Sequence, residues 1–419
     1  MHDETGKRPG FAAVSLMVLV ALTLFPSPGW AKMEKLVCSA CHTMHNSQNG
    51  SPVVADGPLP HCLVNGCVGC HSNGGDGNEA GGAVIKEMGG NKVPVVWNIN
   101  NPPEIVSGIE GPGLAGGNFY WVATGSPYAP PADEAAREAK KVGGDTNKGA
   151  IRARDRRGHN VLGISAKDSR LNVAPGGPPD LATLSACQGC HYDLTKDDDI
   201  LGDEHPGGCR GCHVRPQHHE IAEGSDKWYR WLTSPHVDGD YDSVTMELIE
   251  GPPRHVVGWE DPDWGRFIGP FRHNEYSGVS NGETGARSMD RYCLGCHPKM
   301  SGAGGGNTAW KRHPSGVTVE HYRGRWGVDL TGLPLYDPQV PVARPWAKFE
   351  GASSVVKLGE DLVMCLSCHY AHGSQYRAML RWPYFEEEVI TPDSNGHLAL
   401  PAPSPTAANC RTCHTMSFN

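Results

Sequence analysis

Apolar residues gather into one long run of 15, residues 11–25, and no later stretch approaches that length. Lys7 and Arg8 precede it, and Pro26, Pro28 and the small-residue ending Gly29-Trp30-Ala31 follow. A basic start, a short apolar segment and a small-residue end predict a secretory signal peptide over residues 1–31, with Lys32 as the first mature residue. The run is short against the roughly 20 apolar residues a spanning helix needs, so no stable membrane span is expected. Left uncleaved, it would instead anchor the chain. A charged, alanine-rich pattern over 131–142, stopped by Gly143 and Gly144, predicts one exposed helix. Glycine-rich segments at 73–90 and 302–306 read as loops.

Composition narrows the fold. Gly (54) and Pro (34) make up about a fifth of the 419 residues, against roughly 12% in average proteins. Such a backbone is not mostly helix or sheet. The formal net charge is −9 with no basic stripe, which argues against nucleic acid as a partner.

Fourteen of the 15 cysteines fall in seven copies of Cys-x-x-Cys-His. The pairs are Cys38 and Cys41, Cys67 and Cys70, Cys187 and Cys190, Cys209 and Cys212, Cys293 and Cys296, Cys365 and Cys368, and Cys410 and Cys413. The histidines that close them are His42, His71, His191, His213, His297, His369 and His414. Two thiols three positions apart form thioethers to the two vinyl groups of one haem, and the adjacent imidazole ligates its iron. A disulfide framework suits a secreted chain but does not explain a His after every second Cys. Structural zinc pairs two ligand hooks, whereas here each hook is complete at irregular intervals. The pattern predicts seven covalent haems c. Cys62 is left over and reads as a small buried hydrophobe or a free thiol.

Large flat macrocycles replace much of the usual side-chain core. The expected fold is a multihaem cytochrome c: mostly irregular coil with few short α-helices, wrapped around seven closely packed haems. The motif histidines are separated by 29, 120, 22, 84, 72 and 45 residues. Motifs one and two therefore form one close pair, and three and four another. The expected divisions are 32–155 for the first two haems with an insertion, 156–235 for the next two, and 236–419 for the last three.

Each iron needs a sixth ligand or keeps an open position. Beyond the signal peptide and the motifs, 13 histidines remain: 45, 61, 159, 205, 218, 219, 236, 255, 273, 313, 321, 372 and 397. That surplus favours bis-histidine ligation over Met44, Met300 or Met416. His45 and His372 each lie three residues after a motif His, where a helical turn points them away from their own haem toward a neighbouring one. His218 and His219 are adjacent and must serve different haems.

Several contexts resemble one family. Cys38-Ser-Ala-Cys-His-Thr-Met-His-Asn-Ser47, Arg157-Gly-His-Asn-Val161, Ala174-Pro-Gly-Gly177, Lys311-Arg-His-Pro314 and Cys365-Leu-Ser-Cys-His-Tyr-Ala-His-Gly373 are similar to the secreted multihaem c-type cytochromes of metal-reducing bacteria. His273-Asn-Glu-Tyr276 and the stretch around Leu380-Arg-Trp382 resemble a heptahaem subgroup of it. Some members polymerise into haem-chain filaments. The resemblance implies bis-His haems, a mostly irregular fold, and His45, His159, His273, His313 and His372 as distal ligands. In filament-forming relatives the His matching His45 ligates a haem of the next subunit. Relatives also carry a His shortly after motifs three and five, and this chain does not. His218 and His219 are chosen for those two irons, with His205 and His236 as the next candidates.

The leading expectation is thus an exported electron conduit, periplasmic or at the cell surface, rather than an enzyme. Its partners would be redox proteins, copies of itself in a head-to-tail filament, and extracellular acceptors such as metal oxides. Two alternatives compete. A nitrite- or hydroxylamine-type multihaem reductase needs one open iron. Several nitrite reductases mark that haem with Lys in place of the motif His, and all seven motifs here end in His. A membrane-anchored quinol dehydrogenase would require the N-terminal run to stay uncleaved.

Overall fold

The computed structural model describes residues 38–48, 51–55, 57, 59, 62–63, 65–73, 84–99, 114, 116–123, 154–171, 174–175, 194–195, 207–213, 218, 232, 256–261, 269–278, 288–297, 300, 315–323, 326–345, 351–374, 376–381 and 413. Outside them lie the signal peptide, the 131–142 helix, the third motif (Cys187, Cys190, His191), Cys410 and His414. His205, His219, His236 and His313 lie outside them as well.

Most of the described chain is irregular, with helices only a few residues long. Helix α1 (Cys67–His71) is the second motif, α2 (Met289–Cys296) ends in the fifth, and α3 (Cys365–Cys368) opens the sixth. Short 3-10 turns begin motif one at Cys38–Ala40 and carry motif four at Gly208–Gly211. A helical turn brings positions i and i+3 onto one face, so the helical motifs at Cys67, Cys293 and Cys365 present both thiols together. α2 is the longest of these helices because it is capped: the Ser288 hydroxyl accepts the Arg291 N–H at 3.2 Å.

The strands are short. β1 (Ser47–Gln48) and β2 (Ser51–Pro52) form a small hairpin after the first motif. β3 (Ile85–Met88) and β4 (Asn91–Pro94) form another, antiparallel with Met88 opposite Asn91. The sequence reading treats 73–90 as loop, but its end is a strand. Gly89 and Gly90 both take positive φ (55° and 83°), the backbone of a two-residue hairpin turn that glycine makes without steric cost.

The largest departure from expectation is a five-stranded sheet. Its strands are β5 (Gly258–Trp259), β6 (Glu275–Gly278), β7 (Val317–Thr318), β8 (Ala343–Pro345) and β9 (Leu362–Val363), in the order β5-β6-β8-β9-β7. Only β6 and β8 run parallel. Two apolar clusters flank it. One joins Val256, Tyr276, Met289, Ala343, Leu362, Met364 and Leu366. The other holds Tyr322, Tyr336, Val340, Val342 and Val356, with Cys368 and Cys413 packed against it. A third cluster, around Phe119, Val122, Val161 and Ile164, receives Val68 and Cys209. Cysteines of motifs four, six and seven (Cys209, Cys368 and Cys413) thus lie against apolar surface.

Candidate haem-binding site

The described motif cysteines are free thiols. Their histidines meet partners far away in sequence. His71 of motif two faces His218, with ring centroids 6.2 Å apart. His297 of motif five faces His159 at 6.1 Å, and His213 of motif four faces His372 at 6.3 Å. A metal–imidazole bond of about 2.0 Å on each side, plus roughly 1.1 Å from nitrogen to ring centre, gives roughly 6.2 Å between centroids. The three gaps fit one metal ion held between two imidazoles.

The ring orientations fit as well. His71 Nδ1 lies 3.1 Å from the Pro94 carbonyl, His297 Nδ1 2.8 Å from that of Pro175, and His159 Nδ1 2.5 Å from that of Ala371. His369 Nδ1 lies 2.7 Å from the Ala378 carbonyl and His372 Nδ1 3.4 Å from that of Gly117. A carbonyl accepts only, so Nδ1 carries the proton and the Nε2 lone pair is left for a metal. Burial above all pushes His71 down to about 4, with His218, His213 and Lys86 lowering it further. Burial, then His159, does the same for His297, also to about 4. His159 is lowered by burial too. These imidazoles stay neutral at ordinary pH, the form that ligates.

Three of the histidine sites hang from one backbone crossing. Gly373 bridges Gly117 on one side and Gly158 on the other. Asn118 N–H donates to the Gly373 carbonyl at 3.1 Å, Ser374 N–H to that of Arg157 at 2.8 Å, and His159 N–H to that of His372 at 3.3 Å. A Cβ on Gly117 would collide with the Gly373 carbonyl, and one on Gly158 would stand 2.5 Å from that of His372. Glycine alone permits this approach. From the crossing project His369, His372 and His159, which belong to three different sites.

Other contacts tie sites together. The Tyr292 hydroxyl on α2 donates to the Cys212 carbonyl at 3.0 Å. The Cys365 thiol lies within hydrogen-bonding reach of that of Cys293. His213 and His369 are near enough to lower His71 and His297, respectively. Next to α1, Lys86 on β3 is only 5% exposed, and its Nζ donates to the Gly69 carbonyl at 3.0 Å and the Ser72 carbonyl at 2.9 Å.

Two expected ligands stand differently. His45 is exposed on a left-handed backbone (φ 61°), and Asn46 beside it is pinned by Val54 through 2.8 and 2.9 Å hydrogen bonds. His273 is buried at the start of β6. Its Nδ1 lies 3.0 Å from the Gly269 carbonyl and its Nε2 3.1 Å from Glu275 Oε1, with the ring stacked 3.6 Å from Tyr336. Nδ1 is taken up by a backbone carbonyl and Nε2 by the Glu275 carboxylate, so neither nitrogen is turned toward a metal. Glu275 in turn accepts from Arg344 Nε at 2.8 Å, and Arg344 pairs with Asp361. Of the residues that build and join these sites, Gly158 and Gly373 at least flank histidines in the sequence; Lys86 and Tyr292 carry no such signal.

No protein-family model matches this chain. Among characterised proteins, the C-type cytochrome OmcS of Geobacter sulfurreducens is 23% identical over 431 residues, covering 92% of this chain and 86% of that protein. A cryo-EM structure of OmcS nanowires from the same organism aligns with 90% of this chain and 91% of its own at 19% identity and a TM-score of 0.41. A structure of the outer membrane cytochrome S filament, also from Geobacter sulfurreducens, aligns over the same shares at 18% identity and the same TM-score. The sequence similarity to this C-type cytochrome thus runs over most of both chains.

Proposed function

We propose that this protein is an electron-transfer c-type cytochrome with seven covalent haems, each iron held between two histidines, that conducts electrons toward periplasmic or extracellular acceptors. The observation that carries the reading is the set of three histidine pairs at 6.1–6.3 Å, each joining a motif His to a distant non-motif His. Haem c, when bound, supplies one-electron chemistry at iron, and two imidazoles leave no open position for a substrate. The chain's own residues fix the tautomers, bury the imidazoles and set the neighbours.

In this scheme His218 serves motif two, His372 motif four and His159 motif five. The remaining irons draw on His45, His219 and His313, with His205 or His236 in the place that His273 leaves. The electrostatic influence of His213 on His71, the Tyr292–Cys212 hydrogen bond and the approach of Cys293 to Cys365 support a neighbour order of sites two, four, five, six.

Exposed His45 suits a ligand donated to the next subunit of a head-to-tail filament. Redox proteins would feed the conduit, and metal oxides are candidate terminal acceptors. Among the described residues no helix is long and apolar enough to cross a membrane. The reading is tested by the mass of the mature protein, its pyridine haemochrome and its EPR spectrum. Seven haems, all low-spin, are expected, and a stoichiometric high-spin haem overturns the conduit. His45→Ala should leave a haem-loaded monomer that does not polymerise; loss of an internal low-spin haem without change in assembly would place His45 inside the monomer.

A further inference from the structure

A buried cation needs a partner. Lys86 is 5% exposed, yet its described hydrogen bonds go only to the neutral carbonyls of Gly69 and Ser72. Among the described residues no carboxylate reaches it. Its strand neighbour Glu87 is exposed, because successive side chains on a strand alternate between faces. The two carbonyls flank the motif histidine itself: Gly69 lies inside motif two, and Ser72 directly follows His71. A fixed positive charge in this poorly solvated place is weakly screened.

We infer that Lys86 sets the potential of the second haem: its buried charge, held against the backbone on both sides of His71, favours the electron at that site. This rests on the haem-bearing reading above. Adding an electron lowers the charge at iron by one unit, so a nearby cation stabilises the reduced form and an uncharged replacement does not. Lys86 touches no reacting atom in this scheme; it is a positioning residue whose charge, beyond its hydrogen bonds, carries the effect. Electrons moving among sites two, four, five and six would then dwell longer at the motif-two end than they would without it.

The test compares Lys86→Gln, Lys86→Met and Lys86→Arg in the full haem-loaded protein by spectroelectrochemical titration. Gln keeps donors for the two carbonyls without charge, Met keeps the apolar stem, and Arg keeps the charge. In the Gln and Met variants one transition of the seven should become about tenfold harder to reduce, about 59 mV for one electron. The Arg variant should titrate as the parent does. The same Gln substitution in a Cys67→Ala, Cys70→Ala chain, which lacks the second haem, should change nothing. A shift under threefold in both charge-free variants overturns the inference. So does an Arg variant that shifts as they do, or failure of both charge-free variants to load the second haem, since either makes Lys86 a structural cap. A parent protein without seven haems would instead refute the haem-bearing reading itself.

Discussion

The Asp290 carboxylate, three residues ahead of Cys293 on α2, accepts the backbone N–H of Cys365 at 2.8 Å. One buried side chain therefore clamps the helix of the fifth motif to that of the sixth, although 72 residues separate their histidines. A hydrogen bond to a charged group contributes about 1.5–3 kcal/mol. Asp290→Ala should cost that much in urea unfolding followed by far-UV circular dichroism. Asp290→Asn keeps an acceptor oxygen and should recover a large part of it. Equal losses in the two variants would mean the clamp is not the source.

Glu275 makes stability depend on acid. Burial alone raises its carboxyl, but the hydrogen bond from His273 and the Arg344 guanidinium outweigh burial and hold it below the usual value. The folded chain then binds this proton less tightly than the unfolded one. Its contribution is complete above the ordinary glutamate value of about 4.3 and is lost as pH falls through the depressed one. Glu275→Gln leaves the Arg344 and His273 partners short of a carboxylate in a buried place, a loss of about 3–5 kcal/mol. Denaturant unfolding at a series of pH values should show that loss at neutral pH and a flatter acid limb.

The crossing at Gly373 tests how tightly the sites are held. Gly158→Ala forces its new methyl against the His372 carbonyl. It should destabilise by more than about 1 kcal/mol and disturb the low-spin EPR signals of the sites served by His159 and His372. Gly66→Ala is the control, because its φ of −80° suits any residue and nothing lies within 4 Å of the added atom. It should leave both readouts as they are.

Distal assignments separate the sequence expectation from the geometry. His159→Ala, His218→Ala and His372→Ala should each convert one low-spin haem to high-spin, and the three changes should add. His273→Gln should convert none and act on stability alone, because its ring belongs to the Glu275 cluster. A high-spin haem in the His273 variant would return that residue to the ligand set.

Some of this was legible in the chain. Thioether attachment is local chemistry, so two cysteines and a histidine in five residues mark each site without knowledge of the fold. The short helices at Cys67–His71 and Cys365–Cys368 follow from the same spacing. The distal partner is set by where distant segments cross, and no periodicity encodes that. His218, chosen for motif three or five, lies against His71 of motif two. His273 looked like its fellow ligands in sequence, yet it joins Glu275 in a buried charge cluster completed by Arg344 and Asp361, some 70–90 positions away. The five-stranded sheet was invisible because strands of two to four residues are too short for alternation to register.

The single knot of backbone at Gly117, Gly158 and Gly373 has a mechanical corollary. Tunnelling rates fall off steeply with distance, so relative jitter between redox centres degrades a wire. On the proposed reading, the histidine grips on three centres are fastened to one small pivot of mutually hydrogen-bonded backbone. Fraying at that pivot would release His159, His369 and His372 together, so on the proposed reading the three sites hold or fail as a unit.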